Sequence, residues 1–366
     1  MGFLRFFLAT SVLIGHALEP LYGFKFLDAR VAVNTFFILS GFYMTLILNN
    51  KYSQNVNLFF RNRFLKIFPL YLLSIFLSLI INFSSIKIFY ESLVLSSKIF
   101  YLFSNIFIFG QELSWIFCFK NLDSECVQSP MWMLNPVTWS LSVELLFYLI
   151  APLIVTQLKR VYLFILLGSL YMLGLNFINL PTDSSFFNPN LSSESLFYFH
   201  FGASFIFFGF GSLAYHISKN MYDYKIIIII LLLILDFTTF KMDFWMPFII
   251  SMAIIPIFDL TKQSKIDRFF GLLAYPIFLL HFPILDLINK PYFANNTLLN
   301  LFPKSLNLLI ITCLLSVVVH FTIVQKVETI RDSAFRYKCK INLVPFLYFL
   351  ISLYFLFPFF TLILLV

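Results

Sequence analysis

Long apolar runs, separated by short polar or basic joints, follow one another along the chain. Runs that reach or approach the roughly 20 residues a membrane helix needs fall at 3–22, 31–49, 65–82, 138–157, 161–179, 195–216, 225–240, 244–259, 269–289, 306–325 and 343–366. The pattern predicts an all-α fold, a polytopic transmembrane helical bundle of about ten core helices plus one C-terminal helix. The runs 225–240 and 244–259 are short and parted only by Lys241, Met242 and Asp243, so they predict a tight helical hairpin. The stretch 83–137 is apolar but interrupted by Glu91 and Lys98. It is expected to lie in the interface or re-enter, with an additional span as the alternative. Residues 1–325 are thus the expected transmembrane domain, and 326–366 a cytoplasmic loop with an additional transmembrane helix. No A-x-A-like cleavage site follows the first run, which reads as a retained helix and not as a removed signal peptide.

Composition agrees with this picture. The chain is 60% hydrophobic and only 11% charged, too few polar residues to cover a water-soluble domain of this size. The net charge of +8 raises nucleic acid as a partner. The basic residues, however, sit in the joints between apolar runs, the pattern that orients membrane proteins, so no nucleic-acid partner is expected. With a cytoplasmic N-terminus, 17 of the 25 Lys and Arg residues face the cytoplasm. Cys118 and Cys126 share the large loop placed outside; they are a candidate disulfide if that compartment is oxidising, and otherwise two free thiols. Cys313 and Cys339 read as inert. No Cys or His pair has metal-ligand spacing, so no metal is expected.

Three stretches carry candidate chemistry. In "RFFLATSVLIGH", Arg5 and His16 stand eleven residues apart. That places them on one helix face, ~16 Å apart along the axis. Arg5 would sit at the cytoplasmic edge and His16 beyond mid-membrane, where an unused imidazole is costly. Near neutrality, histidine is the natural proton acceptor. In "RNRFLKIFPLY", Arg61, Arg63 and Lys66 cluster just cytoplasmic of the third helix, with Pro69 near its start; arginine forks and a lysine suit phosphate groups. In "TWSLSVELLFYLIAPL", Ser140, Glu144 and Tyr148 fall at i−4, i and i+4, so one helix face carries hydroxyl, carboxyl and phenol.

Weaker marks are Asn34 and the Ser40–Gly41 pair in "VNTFFILSGF", where Gly41 reads as a close-packing residue, and His281 in "LAYPIFLLHFPI", a structural or cavity-lining residue. His200, in the sixth helix, His216, at a cytoplasmic helix end, and His320, in the tenth helix without a clear partner, are weaker still.

These five stretches, in this order over roughly residues 3–325, resemble the acyltransferase-3 family of integral membrane O-acyltransferases. The resemblance implies about ten transmembrane helices in a bacterial cytoplasmic membrane and transfer of an acyl group, commonly acetyl. The implied donor is cytoplasmic acetyl-CoA or another acyl-CoA. The implied acceptor is a hydroxyl of an envelope glycan or glycolipid: O-antigen, capsule, exopolysaccharide or peptidoglycan. It places catalysis on His16 and Glu144, and donor binding on Arg5, Arg61, Arg63 and Lys66. Asn34, Ser40, Ser140, Tyr148 and His281 are the expected substrate-binding residues. An aspartate is common in the family where this chain has Asn34, and a second arginine where it has Lys66. Direct transfer with His16 as base and relay through an acylated His16 both remain open. A proton-coupled transporter or flippase is the alternative from another class, using Glu144 and His16 as relay residues.

Overall fold

The computed structural model describes residues 1–24, 26–53, 55–127, 129–175, 188, 191–219, 245–294 and 302–334. The helices are α1 (Gly2–Ala17), α2 (Ala29–Asn50), α3 (Val56–Glu91), α4 (Leu95–Phe107), α5 (Trp139–Ile154), α6 (Leu158–Leu175), α7 (Ser193–Phe199), α8 (Phe201–Lys219), α9 (Trp245–Thr261), α10 (Lys265–Ile288), α11 (Lys304–Val319) and α12 (Gln325–Ala334). No strand occurs among the described residues. Among the described residues, seven helical stretches are long and apolar enough to cross a membrane, α1 and α9 being somewhat shorter apolar helices. The chain is a multi-pass integral membrane protein. Nine of the eleven apolar runs lie on these helices. The run 225–240, with the hairpin it would form with 244–259, the run 343–366, Cys339 and the charges at Lys25, Lys225, Lys241, Arg336, Lys338 and Lys340 lie outside the described residues.

The polarity of the surface is inverted relative to a water-soluble bundle. On α3, Ser74 and Ser78 are fully buried while Phe76 and Ile80 are 59% and 61% exposed. On α11, Thr312 and Ser316 are buried while Leu314 and Val318 face outward. α4 follows the same rule, with Ser97, Ser104 and Asn105 inward and Leu95, Ile99, Phe103 and Ile106 outward. Hydrocarbon is the surrounding that such a surface suits, because it solvates the outward apolar side chains and offers nothing to polar ones.

The chain divides into two compact units, each considered by itself. The first comprises 1–46, 154–179 and 202–320. Here α1 packs along α10 and α11. α2 and α8 cross with their backbones in contact: a Cβ added at Gly41 would stand 2.1 Å from the Phe208 carbonyl oxygen, and one at Gly211 would stand 1.8 Å from that of Ile38. The Ser212 hydroxyl, just beyond, donates to the Phe208 carbonyl at 2.9 Å. Gly41 is therefore a close-packing residue, as its place in the sequence suggested. Gly211→Ala should force the two helices apart, lowering stability by roughly 1–3 kcal/mol. A thermal melt of the detergent-solubilised protein should show a lower midpoint; an unchanged midpoint would deny the close crossing.

The second unit comprises 47–153, 180–201 and 321–366, and it revises the sequence reading in several places. α3 begins at Val56, well before the run at 65–82, because the Asn55 side chain caps it by accepting from the Leu58 amide at 2.9 Å. Arg61, Arg63 and Lys66 thus sit within the helix and not before it, and Pro69 is interior. The helix kinks at Asn82, whose φ/ψ of −117° and 21° is not helical; the part before the kink, residues 56–81, reaches ~39 Å, still more than the ~30 Å hydrocarbon core, so the cationic turns have room beyond it. The run at 195–216 breaks at His200, whose extended backbone separates α7 from α8. Beyond a π-turn at His320–Val324, the tenth run continues as helix to Ala334, where a loop was expected from residue 326.

Within 83–137, α4 is 13 residues long and too short to span. Tight turns follow it, closed by a Cys118–Cys126 disulfide. Asn105 ties this segment together: its amide donates to the Tyr101 and Trp132 carbonyls, both at 2.9 Å, and its oxygen accepts from the Leu134 amide at 2.9 Å. The Gly110 amide donates to Ser142 Oγ of α5 at 3.0 Å, fixing the segment over the start of the helix that carries Glu144.

Candidate active site

In the first unit, α1 is held in register at its beginning. The Ser264 hydroxyl caps α10 by accepting from the Asp267 amide. The Asp267 carboxylate in turn accepts from the Gly2 and Phe3 amides at 2.7 and 2.9 Å. An anion at a helix N-terminus is favourable both as hydrogen-bond acceptor and against the dipole. The two helices also touch backbone to backbone, since a Cβ on Gly271 would lie 2.9 Å from Gly2 Cα.

Near the other end of the same helix pair, two histidines meet. The His16 and His281 rings stack with centroids 5.2 Å apart, and His281 Nε2 lies 3.2 Å from His16 Nδ1. His16 Nδ1 is also 3.0 Å from the Val12 carbonyl oxygen, and His281 Nδ1 is 3.2 Å from that of Ile277. The Phe282 ring stands edge-on to His16 at 5.9 Å. His281 is fully buried, His16 half-buried. An imidazole pair with backbone acceptors at both Nδ1 atoms can hold one fixed tautomer.

Arg5 lies on the same helix, its guanidinium 5.0 Å from the Tyr43 ring centroid and against Gly271. Its Nε is buried without a hydrogen-bond partner. An orphaned donor on a permanent cation fits an anionic oxygen that the protein itself does not supply.

The second unit joins two of the expected sets. Arg63 of α3 lies 5.9 Å from the ring centroids of Phe59 and of Tyr148 on α5. The Tyr148 hydroxyl donates to the Glu144 carboxylate one turn back. The i, i+4 spacing read from the sequence therefore makes a real bond, and a cation expected to hold donor stands beside a phenol paired with the expected catalytic carboxylate. Arg63 Nε is likewise buried without a hydrogen-bond partner. Arg61 and Lys66 are half-buried on the neighbouring turns. Ser140 shares the helix face, but its hydroxyl donates to the Val137 carbonyl at 3.0 Å and not to Glu144.

Asn34 is half-buried and Ser40 buried on α2. Asp267 and Tyr43 went unnoticed in the sequence: a lone Asp at a helix start reads as an ordinary cap, and a Tyr in an apolar run as filler. The pairing of His16 with His281 was also missed, because 265 residues separate them. His216 bonds the Val155 carbonyl at 2.9 Å, a structural role, and His320 sits edge-on to Phe269 at the π-turn. Among the described residues no group of three or more His, Cys, Asp or Glu side chains is arranged to hold a metal ion.

The acyltransferase-3 family model, described as an acyltransferase domain, matches residues 1–321 of the chain. No curated protein and no solved structure matches it.

Proposed function

Since the chain belongs to the acyltransferase-3 family and is a membrane acyltransferase, we propose that it moves an acyl group, acetyl as the expected one, from cytoplasmic acyl-CoA to a hydroxyl of a cell-envelope glycan. The observation that carries this reading is the His16–His281 pair, a proton acceptor in the last turn of an apolar helix, hydrogen-bonded to a second imidazole and to the Val12 carbonyl. His16 takes the proton of the acceptor hydroxyl as its oxygen attacks the thioester carbonyl. The carbon–sulfur bond breaks as the new ester forms. His16 returns the proton to the departing thiolate, so the enzyme ends as it began.

Arg63 and Arg5 each support donor binding within their own unit, because each keeps a buried guanidinium Nε without an internal partner. CoA carries several phosphates, and charge-assisted bonds to a guanidinium are the strong kind. Arg61 and Lys66 add cationic groups on the same stretch of α3 as Arg63. Glu144, anchored by Tyr148, is a carboxylate suited to orienting a sugar hydroxyl. The proposed setting is the bacterial inner membrane with the N-terminus cytoplasmic, which brings the donor to the basic turns of α3.

Mass spectrometry of envelope glycans from cells with and without the protein tests the reading. One glycan should lose a mass increment of one acyl group when the protein is removed. Unchanged glycans would refute the proposed acceptor class.

A further inference from the structure

The two histidines carry more than proximity, because the oxygens around them fix where the protons are. A carbonyl oxygen only accepts, so the contact of His281 Nδ1 with Ile277 at 3.2 Å requires that nitrogen to carry hydrogen. A neutral His281 then presents a bare Nε2. That lone pair faces His16 Nδ1 at 3.2 Å, and the Val12 carbonyl faces the same nitrogen at 3.0 Å. Two acceptors converge on one nitrogen, which must therefore be the donor. The reverse assignment, with His281 donating through Nε2, would set a bare His16 Nδ1 against the Val12 oxygen, lone pair against lone pair.

Resting on the reading of His16 as the base, we infer that His281 is a positioning residue that holds His16 in the Nδ1–H tautomer and leaves its Nε2 as the basic nitrogen. Both His281 nitrogens are engaged by the protein and the ring is fully buried, so it supports the base and does not grip a substrate. When His16 Nε2 accepts a proton, the Nδ1–H···Nε2 bond to His281 becomes charge-assisted and strengthens, which stabilises the imidazolium. No carboxylate is needed for this orientation.

The test compares His281→Leu, which removes the acceptor, with His281→Gln, whose Oε1 can take the place of Nε2. Steady-state assays with acyl-CoA should give a kcat for His281→Leu about 10- to 100-fold below the native value, the range seen when the outer hydrogen-bond partner of a functional histidine is lost. The KM for acyl-CoA should be unchanged, and His281→Gln should recover most of the lost kcat. In detergent-solubilised protein carrying 15N-histidine, with resonances assigned by single substitutions, His16 should show a protonated Nδ1 and a bare Nε2. A native His16 protonated at Nε2 overturns the inference, as does a His281→Leu enzyme with native kcat. If His16→Ala is fully active, the base reading falls instead, and the 15N spectrum still decides the tautomer. Should His281→Leu fail to fold, the glutamine variant and the spectrum of the native protein remain decisive: a glutamine variant as slow as His16→Ala, like an Nε2–H native ring, would refute it.

Discussion

His16→Ala should lower the rate of acyl transfer by roughly 10²–10⁴-fold, the contribution of a positioned general base. The loss should fall on kcat, with acyl-CoA still bound, because the donor-binding cations lie elsewhere in the chain. The α1 register should survive the change, being set by Asp267 on the Gly2 and Phe3 amides and by the backbone contact at Gly271. Membrane-inserted protein should therefore accumulate normally. Activity is measured as free thiol released from acyl-CoA in the presence of membrane glycan, and abundance by immunoblot of membranes. Native turnover in the variant would remove His16 from the chemistry.

Arg63→Ala should produce the opposite split. A hydrogen bond to a charged group contributes ~1.5–3 kcal/mol, which corresponds to about 10- to 150-fold in binding at 1.4 kcal/mol per decade. The KM for acyl-CoA should rise accordingly and kcat should change little. Arg63→Lys should recover part of the loss, since charge returns without the planar fork. A stacking role alone, on the Phe59 and Tyr148 rings, would instead lower thermal stability and leave KM where it was. A titration with dephospho-CoA and intact CoA thioesters separates the two, because only a phosphate contact depends on the phosphate count.

The chain's apolar periodicity was enough to place nearly every described helix, because hydrocarbon leaves the backbone no choice but to bond within itself. It failed where the helix outran the apolar run. The start of α3 is polar and set by the Asn55 cap, so counting hydrophobic residues put Arg61, Arg63 and Lys66 outside a helix that contains them. It failed again at His200, where the apolar run is continuous but the backbone turns. α4 was readable as a non-spanning segment, since Glu91 and Lys98 break the run, yet nothing in the sequence showed that its polar side faces inward.

The site divided along the same line. Local relations survived: Glu144 and Tyr148 at i, i+4 are bonded, and Gly41 is a packing residue. Relations between distant helices did not, because one sequence carries no signal that position 16 meets position 281. The same Glu144 face also shows the limit of spacing as a guide. Ser140 lies on it at i−4, but its hydroxyl turns back to the Val137 carbonyl, the usual fate of a hydroxyl near a free carbonyl in a helix.

Whether acyl groups leave CoA for a glycan is read most directly by following the carbon. Purified protein in liposomes, given acyl-CoA labelled in its acyl carbonyl and membrane glycolipid acceptor, should deposit label in the glycan as a base-labile ester, with one free CoA thiol appearing for each label. Glycolipid crossing the bilayer while the thioester stays intact would contradict it and make the protein a transporter.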